Sequence, residues 1–438
     1  MAHADSLKRE AGVGTLLSAS GPSREEPVYR PFAILAYGSA VGGGVPLGLA
    51  MLAWLYAGAA AVGVEWRLLH ANLQIVGFFG TLIVGVAHHL FARFTGRQTA
   101  RSALTRPLLV LLAAAVALRI AGTWADLPGS VLLGAALQAL AFLLFAVWVW
   151  RTLDPEPLTA LRRHLTVSTG WVAAACLYET VLRLRALGDE FSMPPLDAMH
   201  AVHSVALLGG VIGWVMGVLL RAGPMFMPRW NVPPAFARAL PWMLGLGVAL
   251  AAAGEWAGDD RVARLGELAV LGSVAAVLIA GGVLRRAGRM LPMVARTAEE
   301  SRIFRLAVAS LAAAVVGAAA GVALAWGGVG ADLLTDAVRH LVAVGFLTAV
   351  AIAMTFRLIP VLEGRAVPWP AARGVALWAL AAAVPLRSAV VLVGAGWPGA
   401  APLVPLSGIL LLAALVAVGA NLAAVAVVGA RHGRPAGP

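Results

Sequence analysis

The sequence predicts an all-α integral membrane protein with about twelve transmembrane helices, and three observations carry that prediction. Of 438 residues, 61% are hydrophobic and only 12% are charged, too little polar surface to cover a water-soluble globule of that size. Apolar runs of roughly twenty residues, enough to cross a hydrocarbon core about 30 Å thick, recur along nearly the whole chain. Each run has to be a helix, because backbone groups in lipid must pair within their own segment. The formal charge of +12 could point to nucleic acid, but its arginines are spread through short loops between apolar runs. Membrane topology therefore explains the charge, and no nucleic-acid partner is expected.

Residues 1–30 mix Asp5, Lys8, Arg9, Glu10, Arg24, Glu25 and Glu26, lack the apolar core of a cleaved signal, and read as a cytoplasmic tail. Spans follow near 33–62, 66–94, 105–124, 129–151, 165–187 and 197–221, then near 236–257, 263–285, 303–327, 333–359, 371–395 and 403–428. Residues 31–430 thus form one transmembrane domain and 431–438 a second cytoplasmic tail. The loops after helices 2, 4 and 8 hold Arg93, Arg97, Arg101 and Arg106, then Arg151, Arg162 and Arg163, then Arg285, Arg286, Arg289 and Arg296. These loops should face the cytoplasm, while Asp126, Asp189, Glu190, Asp259, Asp260, Asp332 and Asp336 mark the other side. Cys176 is the only cysteine, which excludes an internal disulfide, a thiolate zinc cluster and a covalently attached c-type haem.

Of nine histidines, His3 and His432 lie in the tails, and His164 sits among basic loop residues where a solvated role is expected. The other six fall on three helices: His70, His88 and His89 on helix 2, His200 and His203 on helix 6, His340 on helix 10. His70, His200, His203 and His340 all come within one or two turns of the outer end of their helix, so they share one depth. Ionisable groups in a membrane are costly and face the bundle interior, which predicts that the four converge. Imidazole is a common ligand of haem iron and copper, and His200 and His203, at i and i+3, share one helical face. His88 and His89 are about 27 Å further along helix 2 and belong to the cytoplasmic interface.

The three histidine-bearing helices recur about 130 to 140 residues apart, each the second of a four-helix group, which predicts three arcs around a pseudo-threefold axis. Gln74, Gly77 and His88 fall on the His70 face, and Gly210 and Gly217 on the His203 face, where small residues would admit a flat ligand or another helix. Arg119, Arg183 and Arg387 occupy the same outer layer. Glu179, one turn before Arg183, should pair with it, whereas Arg119 and Arg387 have no such local acid and either snorkel or meet an anion such as a haem propionate. Asp197 and Asp336 either orient His200 and His340 or cap their helices.

These residues resemble the NnrS family, membrane proteins associated with haem, copper and the bacterial response to nitric oxide. The resemblance covers most of the chain. It is carried by helix 2 from His70 through Gly77 and Phe78 to Thr95, Gly96 and Arg97, by Arg119 in LRIAGTW, by helix 10 from His340 through Gly345 to Arg357, and by Arg387. The family is distantly similar to the catalytic subunit of haem-copper oxidases and nitric oxide reductases, which implies a haem-copper-oxidase-like arrangement with His70 and His340 as axial ligands of haem b. It also implies Arg119 and Arg387 as further cofactor contacts, a bacterial inner-membrane location, a membrane or periplasmic electron donor and nitric oxide as ligand. Asn72 stands where the family often has a second His, helix 7 has no His, and helix 6 has no Tyr, so the copper centre and cross-linked tyrosine of a respiratory oxidase cannot be assembled. His200 and His203 are the alternative ligand set, for copper or a second haem. Two other functions stay open: a multi-helix transporter, and a non-catalytic structural subunit.

Overall fold

The computed structural model describes residues 28–95, 102–153, 159–188, 193–227, 230–284, 298–363 and 366–432, and these are all helix, turn or irregular coil. His3 with nearly all of the N-terminal tail, Gly96, Arg97, Arg101, Asp189, Glu190, Arg285, Arg286, Arg289, Arg296 and residues 433–438 lie outside the described residues. Among the described residues, twelve helices are long and apolar enough to cross a membrane. They are α1 (Tyr29–Ala57), α2 (Val64–Phe91), α3 (Thr105–Trp124), α4 (Pro128–Thr152), α5 (Leu161–Ala186) and α6 (Leu196–Ala222), followed by α7 (Pro234–Ala257), α8 (Asp260–Ala280), α9 (Glu299–Trp326), α10 (Asp332–Pro360), α11 (Ala371–Gly394) and α12 (Pro398–Val425). The chain is a multi-span integral membrane protein, and its outer surface fits that solvent: Val110, Leu246 and Val316 project from it at mid-helix. Trp124, Trp256, Trp326 and Trp397 stand exposed at one end of the bundle, the level at which amphipathic rings meet the headgroups.

Nine helices form a closed ring, in which α1 packs on α3, α3 on α4, α4 on α5, α5 on α7, α7 on α8, α8 on α9, α9 on α11, α11 on α12, and α12 back on α1. The remaining three, α2, α6 and α10, stand inside it; between 67% and 83% of their apolar stretches is buried, against 17% to 56% for the others. Each inner helix touches the first and third members of its own group of four, which is the three-arc plan the spacing predicts.

A repeated contact explains how each arc closes. Gly77 on α2 lies against Ser39 on α1, Gly213 on α6 against Ser168 on α5, and Gly345 on α10 against Ser310 on α9, where an added Cβ would come within 3.2, 2.3 and 2.5 Å of the serine side chain. Each serine hydroxyl donates to the carbonyl four residues back, of Leu35, His164 and Leu306 respectively, so no unpaired polar group is left at the close approach. The α6 glycines serve helix packing too, not a flat ligand: Gly210 faces Val172, and Gly217 faces His164 and Leu165.

Two departures from the sequence prediction matter. Helix α1 stops at Ala57 and not near residue 62, because Gly58 takes a left-handed conformation (φ 69°) that ends the helix. All three inner helices also widen into a π-helical stretch, over Leu73–Gly80, Val205–Val211 and Leu341–Thr348, each starting within a turn after a histidine. A further π turn, Ala40–Gly44, interrupts α1. Such turns insert extra backbone into a helix and recur at functional sites.

Candidate functional site

At the end of the bundle where α2, α6 and α10 begin, a cavity of about 530 Å³ lies between them and α1, α7, α8, α11 and α12. His70, His200, His203 and His340 all line it. Arg67, Arg264, Arg339 and Arg387 share the wall with Glu255, Glu267 and Asp336, and the rest is mainly apolar. The volume is in the range of cofactor and small-molecule pockets.

The His70 ring is fixed from α1. Its Nδ1 donates to the Gly44 carbonyl at 2.7 Å, and since a carbonyl only accepts, the proton sits on Nδ1 and Nε2 keeps its lone pair. The ring rests on Gly48, where a Cβ would be 2.6 Å from Cε1; Gly44 similarly makes room for Gln74, at 2.7 Å. Sequence reasoning missed this seat, although the glycine run Gly42 to Gly44 followed by Gly48 inside an apolar span was a usable signal.

His340 is fixed from its own helix and from α11. Its Nδ1 donates to the Asp336 carbonyl at 2.8 Å and stands 3.1 Å from the Asp336 carboxylate, which also accepts from Arg387 Nη2 at 2.5 Å. The same Nη2 is 3.2 and 3.4 Å from the two ring nitrogens of His340. In the ring plane that position would collide with Cε1, so the guanidinium lies against the imidazole face and the oriented partner of Nδ1 is Asp336. Arg387 therefore has an acid after all, supplied by α10. Superposing Val76-Gly77-Phe78 on Val344-Gly345-Phe346 sets His340 opposite Asn72 and not His70, so the two imidazoles are not repeat equivalents.

On the α6 side, His203 Nε2 is buried with no hydrogen-bond partner among the described residues. His200, one turn earlier, is exposed, and Glu255, Asp197, Arg264 and Arg339 are within electrostatic range of it. Asp197 makes no hydrogen bond to His200 among the described residues, unlike Asp336 with His340. Arg339 pairs with Glu255, and Arg264 with Glu267 at 3.1 Å, tying α10 to α7 and bracing α8.

The family model described as NnrS protein matches residues 40–427. This chain belongs to the NnrS family. No curated protein matches it. In this NnrS-family chain the matched region runs from the π turn of α1 to the last turns of α12, and it contains every residue that lines the cavity.

Four other side chains sit where the sequence did not place them. Arg119 is absent from the wall of the NnrS-family cavity; it is 1% exposed and forms a bidentate pair with Glu179 on α5, at 2.8 and 2.7 Å. Its acid comes from another helix, which no local spacing could reveal. Glu179 also accepts from Arg183 Nε at 2.8 Å, as its spacing predicts, and Arg183 reaches Glu65 on α2 at 3.3 Å. Asn72 exchanges hydrogen bonds with Gln138 on α4, at 3.1 and 3.0 Å, pinning α2 to that helix. His164 is fully buried and not solvated: α5 begins earlier than expected, and the ring donates Nε2–H to the Gly213 carbonyl at 2.7 Å in the space Gly217 leaves. His88, expected at the interface, is also fully buried and stacks on Phe32 and Trp148, with ring centroids 5.8 and 4.1 Å away. Among the described residues no group of three or more His, Cys, Asp or Glu side chains could hold a metal ion.

Proposed function

We propose that this NnrS-family protein binds haem b non-covalently in the histidine-lined cavity and uses it as a redox and gas-binding centre in the response to nitric oxide. The observation that carries this reading is that imidazoles from three separate helices line one apolar-walled cavity of about 530 Å³. Its donor chemistry suits a haem better than a bare ion. An isolated cation needs several protein ligands in one place, whereas a haem brings its own equatorial nitrogens and asks the protein for one or two axial imidazoles.

His70 and His340 would hold the iron. Both have Nδ1 engaged, by a backbone carbonyl and by Asp336, the hydrogen bonding that orients a ligating imidazole and leaves Nε2 as the donor atom. Arg67, which lines the same cavity, offers a cationic partner for a carboxylate of a macrocycle. Iron held by both imidazoles would supply one-electron chemistry, and held by only one of them it would also offer a position to a diatomic ligand. The protein's own groups orient the ring, exclude lipid and, through His203 Nε2, offer an unpaired hydrogen-bonding atom on the cavity wall. Electrons would come from a membrane or periplasmic donor, and copper at His200 and His203 is an outcome that metal analysis reads directly.

The test is an absorption spectrum and iron and copper analysis of the purified full chain. Wild type should show a Soret band with about one iron per chain or more, lost or strongly shifted in His70→Ala and His340→Ala and kept in His432→Ala. A folded wild-type protein that takes up no haem when expressed with ample supply would remove this reading. Substrate-dependent flux in liposomes, unchanged by His70→Ala, would put a transporter in its place.

A further inference from the structure

A second cavity, of about 90 Å³, lies on the same central axis in the other half of the bundle, between α1, α2, α6, α10 and α12. Its wall is almost wholly side-chain hydrocarbon, with Ala33, Val86, Val215, Ala351 and Met354 facing one another across it. The polar side chains on its wall, Thr355, Tyr29 and Trp214, have their protons engaged, that of Trp214 Nε1 by the Thr169 hydroxyl at 2.7 Å. The Thr355 hydroxyl donates to the Ala351 carbonyl at 2.8 Å, and the Tyr29 hydroxyl donates to Glu363 at 2.6 Å. A water molecule needs two to four polar partners to be held in such a space, and this wall offers no free donor and only the lone pairs of two hydroxyls; apolar cavities of this kind stay dry and take up apolar atoms.

Two features connect this chamber to the site. Phe79 lines both cavities, so one aromatic ring on the π-helical stretch of α2 stands between them. At the far end, Tyr29 and Arg30 at the start of α1 clasp Glu363, just beyond α10, whose side chain is 1% exposed. The chamber is far smaller than the histidine-lined cavity. It is large enough for a molecule of two or three heavy atoms.

We infer that this chamber is a binding site for a small, uncharged, apolar molecule of diatomic size, held next to the histidine-lined cavity and separated from it by Phe79. The inference does not rest on a haem in that cavity, because it concerns a different set of walls and is read by a different signal. Burial of apolar surface drives occupancy, so the site discriminates by size and polarity and not by hydrogen bonding.

Xenon is the probe. Crystals of the full-length chain, pressurised with xenon, should show an anomalous peak bounded by Phe79, Val215 and Met354. Val215→Trp, which fills the space with an indole, should lower that peak at least tenfold while the thermal midpoint stays within a few degrees of wild type. Ala351→Phe serves the same purpose from α10 if the tryptophan does not fit. Ordered water in the wild-type chamber, no xenon there under pressure, or an undiminished peak in a folded filled variant would each overturn the inference. A haem-free preparation that still takes up xenon would leave it standing while removing the proposed cofactor.

Discussion

At the scale of single residues, the cavity depends on groups with no reactive side chain of their own. Gly48 carries no chemistry, yet a Cβ there would stand 2.6 Å from His70 Cε1, and a ring pushed off this seat loses its bond to the Gly44 carbonyl. If the proposed haem is bound, Gly48→Val should therefore cost its occupancy at least tenfold by Soret absorbance, while Gly42→Ala, where nothing lies within 4 Å, should leave it unchanged. The buried Arg119–Glu179 pair makes a different prediction. Glu179→Gln leaves the Arg119 guanidinium without its anion in a dry interior, while Arg183 keeps Glu65; the loss is about 3–5 kcal/mol and should lower the thermal midpoint markedly. Arg119→Met combined with Glu179→Met should recover much of that loss, because no unpaired charge remains. Equal destabilisation of the single and double variants would mean the pair holds the bundle by packing alone.

At the scale of helices, the inner three share a device that their outer neighbours mostly lack. A π stretch follows the histidine on α2, α6 and α10, close to the glycine that seats the helix on Ser39, Ser168 or Ser310. Such a stretch winds one extra residue into the rotation of a shorter α segment, so deleting one residue lets it relax to α-helix with the two halves still in register. Deletion of Val76 should therefore leave His70 on the cavity wall while Gly77 keeps its contact with Ser39. In a His70→Cys background, a small cavity-directed thiol reagent should label the full-length chain and the deletion variant at similar rates. Loss of labelling in the deletion variant alone would show that the π turn does not absorb the extra residue.

At the scale of the whole molecule, the twelve spans among the described residues are even in number and place their two outermost ends on one face, and the loop arginines predict that this face is cytoplasmic. Reporter fusions after Met1 and after Pro438 should both be active as cytoplasmic reporters, and the histidine-lined cavity then opens toward the other side. A periplasmic signal from either end would reverse the orientation and with it the side from which an electron donor could approach. The closed ring of nine helices around three also predicts that substitutions on the outward faces, such as Val316→Ala, change stability little, because lipid replaces what is removed.

The sequence by itself determined the membrane class, the twelve spans, the three-arc plan and the cavity histidines. Hydropathy acts locally along a helix, and an ionisable group in lipid has only the interior to face. Tertiary structure decided what depends on a neighbour from another part of the chain. It gave Arg119 the acid of α5 and Arg387 that of α10, buried His164 under α6 and His88 among aromatic rings, and seated His70 on the glycines of α1. None of these partners lies on the same helix as the residue it fixes. A pattern read along one helix cannot supply a contact whose two halves meet only when the ring closes.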